Sequence, residues 1–555
     1  MYRKIGAVVT ALSCLTLGLV VASEGASSAA TGSVVTIEGN TGVTFTHNFN
    51  PFSSSSFAEQ LSVRSLVNEP LFEFDTLKAN TQYPWLATKY TFANGGKTIT
   101  FDLRHGVKWS DGTPFTSADV AFTFDLLNKT PAADNYGAPA MASPATTPNK
   151  YTVILHYKQP EYTSITTIAG AVLIVQKKQW SKISSPATAV VTKMVGTGPY
   201  EISSYSSQVV KYMANPHYWD GKPAAPEVNV AYYATNTAAA TALASGQLTW
   251  AGNDIANVDS IFVNKDPKTN HTYFAPGSTV TLWFQIPSSG PLADPVVRQA
   301  ISEGVDRSAL SVEGESGYEQ PATSSSGLIL PAQSAFLESS LKNDLSTTAN
   351  ATKVASLLTG DGYTKDSNGF YSKGGQQITF SIEDPTAYSD YYADSQLMSQ
   401  ELQAEGIDAT VDGVATSQWY TDLANGSFQT MIHWGNGGVN PWVQYDNWMD
   451  SNLSAPIGTA ANGDYGRYSN AAAQTALTSL ASTNPSDVAA MTKQVDALEN
   501  IMSTQVPMAP LLYGADWDEY STAGYTGFVT AANPYMDPSP GDPQLPIILM
   551  HLKKA

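Results

Sequence analysis
The sequence predicts an α/β protein divided into two or three lobes, on three observations. Strand-like runs alternate with helix-like runs along the chain, the pattern of sheets covered by helices. The chain has 555 residues, more than one ordinary hydrophobic core accommodates. Hydrophobic residues make up 42% and aromatic residues 10%, enough to fill real cores and to exclude a disordered chain.

Val34–Ile37 reads as the first strand. Thr98–Leu103 alternates polar and apolar residues, as a half-buried strand does, and Val107 and Trp109 continue the alternation. Ser110-Asp111-Gly112-Thr113-Pro114 is a turn in which Gly112 is free to take positive φ. Thr116 followed by Asp119 forms a capping box, with Asp in place of the usual Glu or Gln. Val120, Phe124 and Leu127 give the helix behind it one apolar face. Tyr151–Tyr157 is a strand stopped by Pro160, and Gly196–Ile202, Val209–Tyr212 and Asn215–Gly221 alternate strand with turn. Ala238–Gly246 is a short helix closed by its glycine. Asp294-Pro295 opens another, with Asp as N-cap, Pro in the first turn, and Val297, Ile301 and Val305 on one face. A helix at 395–405 carries Leu397 and Leu402, ends at Gly406 and feeds the strand Ile407–Val411. Phe428–His433 is a buried strand, and a helix at 484–502, with Asn484 and Pro485 at its start, carries Val488, Met491, Val495 and Leu498 on one face. Segments 312–336 and 450–466 are loop-rich candidates for surface excursions or lids.

Composition excludes several functions. The net charge is −19, charged residues are only 14%, and no basic run occurs, so nucleic acid and anionic membrane surfaces are disfavoured partners. Residues 1–30 read as an export signal: Arg3 and Lys4, the apolar stretch Ile5–Ala22, and the small residues Ser28-Ala29-Ala30 for cleavage. A retained membrane anchor is the other reading of that stretch. Cys14 is the only cysteine, so no intramolecular disulfide forms, and Ala11-Leu12-Ser13 before it is a poor lipidation site. The histidines at 47, 105, 156, 217, 271, 433 and 551 make no metal-binding spacing; no metal and no cofactor is expected. A secreted hydrolase would have to draw on carboxylates such as those in Asp516-Trp517-Asp518-Glu519, because no G-x-S-x-G elbow is present.

Several motifs, in order, resemble the family 5 extracellular solute-binding proteins of ABC importers, the oligopeptide, dipeptide and nickel-binding type. Leu66–Leu127 is similar to the family's opening block. Gly196-Thr197-Gly198-Pro199-Tyr200 matches its GTGPY motif, and Asn215–Gly221 its NPxYWxG element. Leu243–Leu248 and Pro291–Leu310 resemble two of its helices. The resemblance implies a two-lobed, periplasmic-binding-protein-like α/β fold with hinge strands and an extra subdomain on the larger lobe. It divides the chain into lobe I (34–77, 190–283 and 505–555), the extra subdomain (78–189) and lobe II (284–504). It also implies a monomer without catalytic activity, exported to the periplasm or cell surface. Such a protein closes on a peptide-sized solute and docks on a membrane permease. A ligand-sensing partner of a membrane receptor would use the same fold.

The informative site segment is Met431–Trp442, which resembles the family's R-x-G-W-x-x-D-Y-x-x-P stretch. Trp434 and Pro441 match, while Met431 stands at the Arg position and Gly437 at the Asp position that pairs with a peptide's α-ammonium. A buried zwitterion without partners costs several kcal/mol per ion, roughly, so the departure disfavours a simple short peptide unless Asp446 or Asp450 supplies the carboxylate. The remaining residues are aromatic and amide: Trp419, Tyr420, Trp434, Asn436 and Trp442 are the principal ligand-binding candidates, with Asn50, Phe52, Trp283 and Gln285 in a second tier. Flat apolar faces with amide hydrogen bonds suit a neutral ligand, an oligosaccharide or a capped peptide. Arg298 and Asp306 are expected to form a structural ion pair.

Overall fold
The computed structural model describes residues 34–39, 41–53, 55–56, 64–78, 81–286, 289–435, 440–485, 487–541 and 543–555. The expected export signal, Cys14 and Asn436 lie outside the described residues. No described helix is long and apolar enough to cross a membrane.

Two sheets organise the molecule. The first has seven strands in the order Asn270–Thr272, Glu519–Ser521, Trp250–Ala251, Val34–Glu38, Glu227–Ala231, Val209–Ala214 and Tyr200–Tyr205. The second has six, in the order Gln320–Pro321, Met508–Asp516, Ala275–Phe284, Thr430–Trp434, Thr379–Pro385 and Asp408–Val414. The mixture of parallel and antiparallel pairs, with helices against the sheets, is the expected α/β architecture in two lobes.

The chain passes from the first sheet to the second between Thr272 and Ala275, and returns between Asp516 and Glu519. Both crossings lie side by side. Ala275 pairs with Asp516, and Tyr273 N–H donates to Asp518 O at 2.9 Å. The strands Ala275–Phe284 and Met508–Asp516, expected at the edges of lobe I, therefore hydrogen-bond in the second sheet.

A four-stranded antiparallel sheet, Ala87–Ala93, Thr98–Leu103, Thr152–Tyr157 and Met141–Asn149, packs against the helix Ser117–Lys129 within the region expected to be the extra subdomain. The alternation read in Thr98–Leu103 is real: Ile99, Phe101 and Leu103 are buried and Asp102 is exposed. The predicted capping box also forms, with Asp119 Oδ2 accepting from Thr116 N at 3.0 Å. The glycines of Gly196–Tyr200 are steric requirements. A Cβ on Gly196 would overlap the Val67 carbonyl, and one on Gly198 would crowd that of Leu66.

Three local expectations change. Arg298 does not pair with Asp306. Its guanidinium donates to the carbonyls of Leu292 (2.6 Å), Gln505 (2.6 Å) and Val506 (2.9 Å), closing the C-terminus of the helix Val488–Gln505. Asp306 instead caps the next turn, accepting from Ala309 N at 2.9 Å. The helix expected at 395–405 begins earlier, at Ser389, because its buried face includes Asp394, Ser395 and Ser399, which interrupt the apolar period. The helix Ala471–Ser482 was not foreseen: alanines supply half of its buried face and carry little periodic signal.

Candidate ligand-binding site
The strand Thr430–Trp434 lies beside Ala275–Phe284, with Val280 opposite Trp434 and Trp283 opposite Met431. Alternation along the strand sends successive side chains to opposite faces. His433 enters a buried aromatic cluster. It stacks on Trp419 with ring centroids 4.8 Å apart and lies 6.0 Å from Trp283. Its Nδ1 meets the Trp434 carbonyl oxygen at 2.7 Å. Burial pushes the imidazole down to about 4, so the ring stays neutral near neutral pH.

Trp434 is half-buried. Its ring packs 5.8 Å from Trp419 and 6.2 Å from Tyr391. Trp442 is also half-buried, and its buried Nε1 has no hydrogen-bond partner among the described residues. The two tryptophans lie on either side of residues 436–439 in the chain. Gly435 brings the strand in close, since a Cβ there would crowd the Trp448 ring, and Gly435 N donates to Thr279 O at 2.8 Å. Asn440 then caps the helix Pro441–Met449, its Oδ1 accepting from Trp442 N at 3.0 Å. Tyr445 fixes that helix from below by donating to Ser326 O at 2.9 Å. Tyr420 is 43% exposed, and its hydroxyl lies 3.5 Å from that of Tyr388.

The other candidates separate from this surface. Trp419 and Trp283 are fully buried and form the layer behind Trp434. Gln285 is buried just past its strand, and its Nε2 has no hydrogen-bond partner among the described residues. Asn50 is wholly buried; its Nδ2 donates to Pro186 O (2.7 Å) and Ala189 O (2.9 Å), and its Oδ1 accepts from Phe52 N (2.8 Å). Phe52 packs edge-on against Trp180 at 4.7 Å. These contacts give both residues structural work far along the chain from the Trp434 group.

Asp446 does not offer a ready carboxylate. Burial, and then the charge of Asp450 nearby, pushes its carboxyl up to about 8. Sequence reasoning missed Tyr388 and Tyr391, which extend the aromatic group from the start of the helix Ser389–Glu405. The run Tyr388–Asp394 was visible, but with the helix start set at Ser395 its residues could not be assigned to one face.

The family profile of bacterial extracellular solute-binding proteins, family 5, matches residues 81–455. The chain belongs to that family. A Brucella ovis protein whose name assigns it to ABC-transporter peptide binding is 29% identical over 293 residues, 50% of this chain and 52% of that protein. The chain thus spans about half the length of the curated Brucella relatives it matches. The glutathione-binding protein GsiB of Shigella dysenteriae is 25% identical, over 58% of this chain and 61% of that protein. Among solved structures, the periplasmic oligopeptide-binding protein of Thermotoga maritima superposes with a TM-score of 0.85 at 22% identity, covering 94% of this chain and 99% of that one. The same Thermotoga protein with bound mannohexaose gives 0.80 at 22% identity and the same coverages. These likenesses establish the fold of the family 5 chain.

Proposed function
We propose that this chain is the solute-binding component of an ABC importer. It captures a peptide-sized solute between its lobes and delivers the closed complex to a membrane permease. The observation that carries this reading is the pair of adjacent crossings at 273–274 and 517–518, a narrow connection about which two lobes can rotate. On this reading lobe I comprises 34–77, 190–274 and 517–555, lobe II comprises 275–516, and 78–189 forms the extra subdomain. The protein acts as an exported monomer, in the periplasm or at the cell surface, and without turnover. Burial of Asp518 and Glu519 argues against their use as a glycosidase pair, which needs carboxyls open to a cleft.

Trp434, Trp442 and Tyr420 form the contact surface in this reading, and Asn436 is proposed to join them; Gln285, buried just past the adjacent strand, is not part of it. Trp419 and Trp283 support them, and Asn50 and Phe52 belong to the scaffold. The surface carries no ready charge for either end of a short peptide: the two family charge positions are Met431 and Gly437, and Asp446 is held neutral. That supports a second reading, a neutral oligosaccharide. The Thermotoga protein, oligopeptide-binding by name and crystallised with mannohexaose, accords with such a solute in this fold.

Native mass spectrometry of the purified protein, followed by thermal-shift titration with mannohexaose and glutathione, tests both. A saturable adduct weakened by Trp434→Ala supports capture. Adducts that ignore Trp434→Ala and Tyr420→Ala would refute this site.

A further inference from the structure
The net charge of −19 is not spread evenly along the chain. Residues 78–189 hold ten lysines, one arginine and six acids, a net charge of +5, which leaves −24 for the remainder. No basic run announces this, because the lysines stand singly or in one pair, in separate segments. The fold gathers five of them, together with Lys193, around the turn Ser110–Pro114.

Lys108 pairs with Pro114 across that turn. Lys150 comes in from the connection between Met141–Asn149 and Thr152–Tyr157, its carbonyl oxygen accepting from Ser117 N at 2.9 Å where the helix Ser117–Lys129 begins. Lys177 N donates to Asp119 Oδ1, in the first turn of the same helix, at 3.0 Å. Lys178 Nζ meets Asp111 of the turn at 2.8 Å, and Gln176 Nε2 donates to Thr113 Oγ1 at 3.0 Å. Gln179 ties in the next segment, donating from Nε2 to Lys193 O at 2.8 Å, while its own carbonyl accepts from Lys182 N at 3.4 Å. All six lysines are exposed. The segments that carry them, 105–119, 150–151 and 176–195, contain only two acids, and both are engaged. Asp111 pairs with Lys178, and Asp119 is buried as the helix-capping residue. The patch lies wholly on one side of the two crossings, so its layout does not depend on the angle between the lobes.

We propose that this lysine patch docks the protein on a bilayer rich in anionic phospholipid, with the extra subdomain turned to the membrane. The charge of the whole chain argues against such a surface. At physiological ionic strength, however, fields fade over about 8 Å, so a plane of headgroups feels the patch in front of it more than the acidic remainder behind. The remainder then orients the molecule, because an acidic face turned to the same plane is repelled. The kind of cation selects the occupant. All six are lysines, flexible point charges that are depleted from protein–protein interfaces and lack arginine's fork for paired phosphate oxygens or base edges. They ring a turn instead of converging on one point, which suits a plane of many phosphates and not a single phosphate ion. Contact of this kind is reversible and weakened by salt. For an importer component it turns the search for a permease into a search along the membrane, while the docking itself does not depend on solute capture.

Vesicle co-sedimentation of the purified chain from residue 31 onward, without the apolar leader, tests this. Vesicles of phosphatidylglycerol and phosphatidylcholine in equal parts are compared with phosphatidylcholine alone, at about 50 mM and about 500 mM salt. A variant combining Lys108→Gln, Lys177→Gln, Lys182→Gln and Lys193→Gln is set against a control with the same change of charge. The control combines Lys265→Gln, Lys268→Gln, Lys342→Gln and Lys493→Gln, four exposed lysines outside the subdomain. Circular dichroism verifies that each is folded. The unaltered protein should partition about tenfold more strongly onto the anionic vesicles at the lower salt and lose that preference at the higher. The patch variant should lose most of the preference and the control should keep most of it. Equal partition of the unaltered protein onto both kinds of vesicle overturns the proposal. So does equal loss in the two variants, which would assign the attraction to overall charge. Displacement from the vesicles by millimolar inorganic phosphate at constant ionic strength would assign the patch to a small anion. Equal retention by a short DNA duplex would assign it to polyanions at large, and either result overturns docking on lipid. None of these outcomes bears on solute capture, which the mass-spectrometric titration tests separately.

Discussion

His433 lies flat against Trp419, with their planes within 11° and their ring centroids 4.8 Å apart. The pair divides the aromatic group into a structural layer, to which Trp419 belongs, and a half-buried surface bearing Trp434. Trp419→Ala should cost about 3–5 kcal/mol of stability by cavity formation, measured by urea denaturation. Trp434→Ala should cost much less stability but weaken solute binding roughly 30-fold, the range of an interfacial aromatic anchor, measured by calorimetry with the solute identified by mass spectrometry. The reverse ranking would mean that the two layers have been assigned the wrong way round.

Asp446 gives a pH signature. Its folded-state carboxyl sits at about 8, above the ordinary carboxylate value expected in the unfolded chain. Its contribution to stability is therefore full below about pH 4 and is lost as pH rises through about 8. Asp446→Asn, which imitates the neutral acid, should match wild type in melting temperature at pH 4 and exceed it increasingly toward pH 9. A constant difference across that range would exclude the linkage.

Arg298 should resist conservative replacement. Its planar fork reaches carbonyls at both ends of the contact, Leu292 on one side and Gln505 and Val506 on the other. Lysine cannot span that arrangement, so Arg298→Lys should lose about 2 kcal/mol or more, read from chemical denaturation. Asp306→Asn should cost little by comparison, because an Asn can still cap the turn.

Gly196→Ala should destabilise by about 1–3 kcal/mol through forced displacement of the Val67 backbone. Gly95→Ala makes a useful contrast: a Cβ there meets nothing, and only its positive φ of 63° opposes the change. A smaller loss at Gly196 than at Gly95 would contradict the close-approach argument.

Much of this fold was legible because its signals are local. The Thr116–Asp119 box, the Asp294-Pro295 helix start and the alternation in Thr98–Leu103 each use neighbours in sequence, and each forms as read. Ser389–Glu405 was partly hidden because polar residues occupy its buried face. The position of the crossings was hidden for another reason. Whether Ala275–Phe284 pairs with Thr430–Trp434 or with the first sheet depends on partners more than a hundred residues away, and no local pattern encodes that choice. For the site, Trp434 and Trp442 could be singled out from motif position. The burial of Trp419 and the structural use of Asn50 depend on packing that becomes visible only in three dimensions.

The return crossing also bears on the order of folding. Glu519–Ser521 is an interior strand of the seven-stranded sheet, hydrogen-bonded to Trp250–Ala251 on one side and Asn270–Thr272 on the other. During synthesis it emerges after all of 275–516, which contains every strand of the six-stranded sheet. The nested lobe can thus assemble from a continuous stretch, while the sheet that contains Val34–Glu38 stays incomplete until Glu519–Ser521 has emerged. If the chain is exported as proposed, that delay would keep the early segments from locking into their final sheet before translocation.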